Sequence, residues 1–311
     1  MVSNNQKVSL THITEEQKMS NFFEKKIVNY SSNFDMLDRI VKNQAEASNY
    51  YAWVRDGYKT YFTNTESSSI SKFYIRYYRA KKLLYSSAQM LAEAKESIEN
   101  ECVVSFYYLI YYALFQAMQA NILLCIHYDD NKVLQLSHDN VKTYFNVQFC
   151  KNNKCPIDNE IISLFEDLRS YREYYSYAKP FNLSSETIVD IGKVEQYIRL
   201  CTQLFNLHCW IIWQDVKKHF EFDSSKFSEI KTYFNDSCNR LKGDVLTDAA
   251  DTNVWSEFKE YKSGEVLPLL ITYEHDFDEY GTYDNSTYQA MQIPRTGHII
   301  SEALKFIYNS I

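Results

Sequence analysis

Six glycines and four prolines are all that the 311 residues contain. Average usage of about 7% and 5% would put roughly 22 and 16 in a chain of this length. Glycine supplies the positive φ, and proline the fixed φ, that tight turns, hairpins and phosphate loops need. So few of them argue against an all-β sandwich, a collagen-like chain and a Gly/Pro-rich disordered one. A mainly α fold is expected. The 27 tyrosines and 19 phenylalanines, within a hydrophobic fraction of 45%, supply a sizeable core and count against disorder.

The hydrophobic pattern places the helices. From Cys102 to Ile126, 25 residues carry no formal charge, long enough to span a bilayer. The run also holds Ser105, Gln116, Gln119 and Asn121, with Tyr107, Tyr108, Tyr111 and Tyr112 away from the positions of headgroup belts. It reads as the buried central helix of a bundle, and no membrane association is expected. Before it, Leu83, Leu84, Ala88, Leu91 and Ala94 keep helical spacing in a long helix over about 70–99. After it, Ser137 can cap a short helix, 159–178 reads as another, and Ser184 or Ser185 can cap a long one running through Trp213. Earlier, Thr14-Glu15-Glu16-Gln17 reads as a capping box for a helix to about Tyr30, and a second helix runs from Asp35 towards Tyr61. Later, short helices are expected near 225–240, 252–262 and 297–309, with a buried extended segment over 266–273.

Charge divides the chain. Residues 1–69 carry 8 basic and 8 acidic side chains, 70–215 carry 15 and 16, and 216–311 carry 10 and 16. Nearly all of the net −7 therefore lies in the last third. With the polar stretch 63–69 as a linker, the expected organisation is a helical N-terminal extension over 1–69, a helical bundle over 70–222 and a small acidic C-terminal portion over 223–311.

The seven cysteines (102, 125, 150, 155, 201, 209 and 238) are odd in number and irregularly spaced, which argues against a disulfide framework. The first residues lack an apolar signal core, so a reducing cytoplasm is the expected setting. Cys150 and Cys155 have no second close pair, and 276–287 lacks the terminal carboxylate of a calcium loop. No metal or other cofactor is expected. There is no P-loop, GxGxxG, GxSxG or HExxH.

Three stretches carry a resemblance: VVSFYYLIYYALFQAMQANILL at 103–124, SHDNVKTYF at 137–145 and LFEDLRSYREYYSYAKPF at 164–181. Together they resemble the HEPN superfamily (higher eukaryotes and prokaryotes nucleotide-binding). The branch in question has an AYYAMFHAARALL-type helix, an SH-type turn and an LRxxADY-type helix. The resemblance covers about residues 75–215. It implies a bundle of four to five helices, commonly paired as a homodimer, and a place in toxin–antitoxin or phage-defence systems. Members include metal-independent endoribonucleases whose signature is Arg, four to six residues, then His. Here neither Arg169 nor Arg172 is followed by a His at that spacing. Arg172 and Tyr177 match the Arg and the final Tyr of the LRxxADY pattern, while Tyr175 and Ser176 replace its Ala and Asp.

The resemblance thus nominates Arg172, Arg169, Tyr177 and His138 as catalytic candidates. Histidine suits general-base work because its pKa lies near 6.5, and arginine's planar fork suits phosphate. The alternative for the two arginines is an ion-pair network with Glu166, Asp167 and Glu173. A separate RNA-binding candidate is Lys72, Arg76 and Arg79 at i, i+4 and i+7, with Tyr77 and Tyr78 beside them. Phosphates would sit on the charges and bases on the rings; the alternative is a solvated face beside an aromatic core stripe. Two functions remain open. One is an RNA-binding or RNA-cleaving effector; the other is a non-catalytic adapter that binds a partner protein such as an antitoxin or defence component.

Overall fold

The computed structural model describes residues 22–26, 34–134, 136–152, 154–155, 157–178, 189–212, 224–237, 240–241 and 244–245, with 299, 302–303, 305–307 and 310 at the C-terminal end. The protein is mainly helical. Three short or medium helices come first: α1 (Phe22–Lys26), α2 (Asp35–Ile40) and α3 (Gln44–Asn64). The bundle follows as α4 (Ser67–Glu99), α5 (Val103–Leu123), α6 (Asp130–Leu134), α7 (His138–Phe145), α8 (Glu160–Glu173) and α9 (Ile191–Ile211). Beyond it lie α10 (Phe227–Ser237) and a two-residue antiparallel ladder, Arg240–Leu241 against Asp244–Val245.

The chain reverses between α4 and α5 in three residues without a glycine. Cys102 N–H donates to Ser97 O at 2.8 Å and Glu101 N–H to Ile98 O at 3.1 Å, which closes a Schellman motif. Its left-handed position, φ 59°, is Glu101, where glycine would carry no Cβ penalty.

Helix α5 is the hub, packing along α4 and against α7, α8 and α9. Its lack of charge follows from that burial: a charge facing any of four neighbours would be desolvated. Its polar groups are bonded instead. Ser87 Oγ donates from α4 to Ala113 O at 2.6 Å, and Asn121 Nδ2 donates to Cys201 O on α9 at 3.0 Å. Among the described residues, no helix is long and apolar enough to cross a membrane.

The expected helix over 35–61 is in fact two helices. Asn43 accepts from Glu46 N–H at 3.0 Å and starts α3 afresh. Helix α2, with no side-chain cap of its own, is capped by α9: Gln203 Oε1 accepts from Met36 and Leu37 N–H at 2.9 and 3.1 Å. The expected linker over 63–69 shrinks to Thr65 and Glu66. Helix α9 begins at Ile191, where Asp190 accepts from Lys193 N–H, rather than at Ser184 or Ser185. One hydrophobic core runs from Phe23 through α9 and takes in Ala303, Phe306 and Ile307. The expected helix over 252–262, the extended segment over 266–273, the stretch 276–287 and most of the first helix lie outside the described residues.

Candidate active site

The expected RNA-binding stripe on α4 is not a solvent face. Arg76 is 1% exposed, and Tyr77 and Tyr78 are buried. The i, i+4, i+7 spacing does put the cations on one side of α4, but α5, α6, α9 and α10 pack against that helix, and its Phe73 ring meets Tyr58 and Phe62 of α3. Arg76 turns inward to the C-terminal end of α5, where unpaired carbonyls need donors. Its Nε donates to Leu123 O at 2.9 Å, Nη2 to Cys125 O at 2.5 Å and Nη1 to Asp130 at 3.1 Å. Tyr77 stacks on Phe205 at 5.9 Å, and Lys82 Nζ lies 5.8 Å from the Tyr78 ring. Lys72 pairs with Glu229 at 3.7 Å and sits over Tyr233. Arg79 is half-buried. These residues hold the bundle together, and Tyr77 and Tyr78 offer no ring face for a base.

The other four candidates occupy neighbouring positions. Ser137 caps α7 by accepting from Asn140 N–H, which sets His138 at the first helical position. Arg172 projects from the last turn of α8 and Arg169 from the turn before it, and Tyr177 lies on the π-helical turn Tyr174–Ala178 that continues the helix. Helix α5 bridges the two sides. The Tyr111 hydroxyl lies 2.6 Å from His138 Nδ1, and the Arg172 guanidinium sits over the Tyr111 ring at 4.9 Å. Arg172 Nη1 also approaches the Tyr112 hydroxyl at 3.4 Å, while its Nε is buried without a hydrogen-bond partner.

Carboxylates complete the cluster. Arg169 donates to Asp139 at 2.6 Å and to Glu173 at 3.1 Å, and Arg172 Nη2 donates to Glu173 at 3.0 Å. The ion-pair alternative is therefore present, with Glu173 as predicted and with Asp139; Glu166 pairs instead with Lys142 at 2.5 Å. The Arg169 hydrogen bonds hold Asp139 and Glu173 below the usual carboxylate range. Burial, then the charges of Arg172 and Arg169, lower the His138 pKa, so the imidazole is neutral at pH 7. Burial keeps the Tyr111 phenol protonated.

Tyr111, Tyr112 and Asp139 were not singled out from the sequence as site residues. The signal was present: the doublets Tyr107-Tyr108 and Tyr111-Tyr112, four apart, place two tyrosines on each of two adjoining helix faces.

Elsewhere, a groove of about 410 Å³ lies between α4, α9 and the C-terminal residues Ile299, Glu302, Lys305 and Phe306. Its described lining has no imidazole or thiol, and its Lys95 and Glu195 pair with each other at 2.8 Å. No group of three metal-ligating side chains occurs among the described residues. His208 is buried between Tyr50 and Tyr58, away from solvent. Among the described residues, the cluster around His138 is thus the one with both an imidazole and paired arginines. No family model, curated protein or solved structure matches the chain.

Proposed function

We propose that the protein is a HEPN-like effector that binds and cleaves RNA without a metal, with His138 as general base and Arg172 as phosphate ligand. One observation carries the reading: His138 and the guanidinium of Arg172, from different helices, meet on Tyr111. The chain lacks the family's His beyond the arginine, and His138 brings an imidazole to the same neighbourhood from α7. The mechanism uses the tautomer in which Nδ1–H donates to the Tyr111 hydroxyl and Nε2 is the basic nitrogen. That nitrogen takes the proton of a 2′-hydroxyl as the 2′-oxygen attacks the adjacent phosphorus. The P–O5′ bond breaks, the 5′-oxygen takes a proton from water, and the hydroxide so left takes the proton from the His138 imidazolium; a 2′,3′-cyclic phosphate and a 5′-hydroxyl result. Arg172 offsets the charge that grows on the phosphoryl oxygens. To take phosphate, Arg172, whose side chain is only 12% exposed, exchanges the half-exposed Glu173 carboxylate for it. A homodimer and an antitoxin or defence partner belong to the same proposal.

The test is cleavage of single-stranded RNA by the purified protein in the presence of a chelator. His138→Gln is expected to lower the rate roughly 10²- to 10⁴-fold, and Arg172→Ala to abolish toxicity on induction in a bacterial host. Thermal melts of both variants separate lost chemistry from lost folding. The adapter reading is favoured by one feature: Asp139 and Glu173 already balance both arginines. A wild-type protein that leaves RNA intact and is non-toxic would establish that reading instead.

A further inference from the structure

Among the described residues, five large hydrophobic side chains are exposed, and four of them gather at one end of the bundle. Val104 and Tyr108 lie on the N-terminal half of α5; Tyr174 and Tyr177 lie on the π-helical turn after α8, which packs against α5. Tyr108 is 48% exposed and Tyr177 79%. Their neighbours are locked by comparison. Tyr107 stacks on Tyr175 at 4.6 Å and on Tyr171 at 5.2 Å, which pins the turn to α5. The Tyr108 ring lies 4.7 Å from that of Tyr112. Arg172 meets the same Tyr112, with Nη1 3.4 Å from its hydroxyl and the guanidinium 5.9 Å from its ring, and the turn that carries Tyr177 packs against α5. Two open aromatic rings therefore stand on rigid supports beside the guanidinium proposed to hold phosphate.

We infer that Tyr108 and Tyr177 form a stacking platform for unpaired bases, so that the ligand of this site is single-stranded RNA. The inference rests on the RNA reading above and adds its substrate class. An aromatic face takes any base, and stacking needs bases that are not already stacked in a duplex. The chemistry fits nucleic acid better than an apolar protein surface. Three of the four exposed side chains are phenols, only Val104 is aliphatic, and the adjoining groups are charged.

The experiment is fluorescence anisotropy of a short labelled single-stranded RNA with the full chain, in a His138→Gln background so that the probe stays intact. Tyr108→Ala and Tyr177→Ala should each weaken binding roughly 5- to 150-fold. Tyr→Phe should restore it, and the slope of log affinity against log salt should not change. The same sequence as a duplex should bind more weakly than the single strand. Because Tyr177 is the more exposed ring, its loss leaves the melting temperature in place and reads binding alone. Weakened binding by both Ala variants, from a wild type that does not cleave, upholds the platform and rejects the catalytic reading. Intact affinity in both, from a wild type that does cleave, rejects the platform and leaves the catalytic reading. A dimer that Tyr177→Ala dissociates in sedimentation, with RNA affinity unchanged, would make the patch a self-interface and overturn the inference.

Discussion

His138 is the side chain whose environment makes the most specific demand on experiment. Two effects lower its pKa, burial first and the cations Arg172 and Arg169 second; Asp139 and Glu173 oppose them. A base must be unprotonated, so cleavage rises with pH through this pKa and then levels off. The ascending limb of kcat/KM is expected below about 6.5, the ordinary imidazole value. Arg169→Gln removes one cation without touching the proposed phosphate ligand, and should move the limb upwards. Since burial is the larger cause, the limb should still lie below the ordinary value. A limb at or above 6.5 in the wild type would remove His138 from the base role. Arg76 shows the opposite fate of a charged side chain. Nothing in the spacing Lys72, Arg76, Arg79 distinguishes a solvated cation from one that bonds two carbonyls at the end of a neighbouring helix. Only the packing decides.

At the scale of elements, α3 is tied to the bundle by a buried polar relay. Tyr58 donates its hydroxyl proton to Leu124 O at 3.0 Å, so it accepts from His208 Nδ1 at 2.9 Å. That leaves His208 Nε2 to accept from the Tyr50 hydroxyl at 3.0 Å. The neutral imidazole fits this arrangement; the imidazolium would leave a second N–H facing a donor. Burial takes the pKa of His208 down to about 3. A histidine lowered from about 6.5 stabilises the fold fully above the unfolded value and loses that contribution as pH falls towards the folded one. Between pH 6.5 and 3 the wild type should lose about 1.4 kcal/mol per pH unit through this group. His208→Gln should show a shallower fall in urea midpoint over the same range, and equal slopes would mean that His208 is protonated in the fold. Much at this scale was legible beforehand. The spacing of Leu83, Leu84, Ala88, Leu91 and Ala94 and the uncharged run 102–126 gave α4 and α5, and Ser137 gave the start of α7. The break at Val41–Asn43 was not legible, because Gln203, more than 160 residues away, supplies the cap for α2. Nor was the meeting of Tyr111 with His138 and Arg172. It depends on the rotation of α5 against α7 and α8, which no local pattern states.

The described residues are built around α5, and both ends of the described chain are drawn into the same core. Phe23 and Phe34 are fully buried at one end of the described chain, and Ala303, Phe306 and Ile307 at the other. Phe306 sits by α9, with the Arg199 guanidinium 5.9 Å from its ring, and helps line the groove against α4. Residues split by charge into an extension, a bundle and an acidic portion thus share one hydrophobic cluster. Cooperativity follows from that sharing: a side chain lost from the C-terminal segment should weaken helices hundreds of residues away. Phe306→Ala removes a buried ring and should cost about 3 kcal/mol or more. Tryptophan fluorescence, to which Trp53 on α3 contributes, and far-UV circular dichroism should then report one denaturant midpoint, lowered equally for both probes. In a Trp255→Phe background, which leaves no tryptophan in the C-terminal segment, an independent unit would leave the fluorescence transition in place while a minor part of the dichroism signal melted early. A coincident shift would show that the acidic C-terminal portion contributes to the stability of the bundle that carries His138.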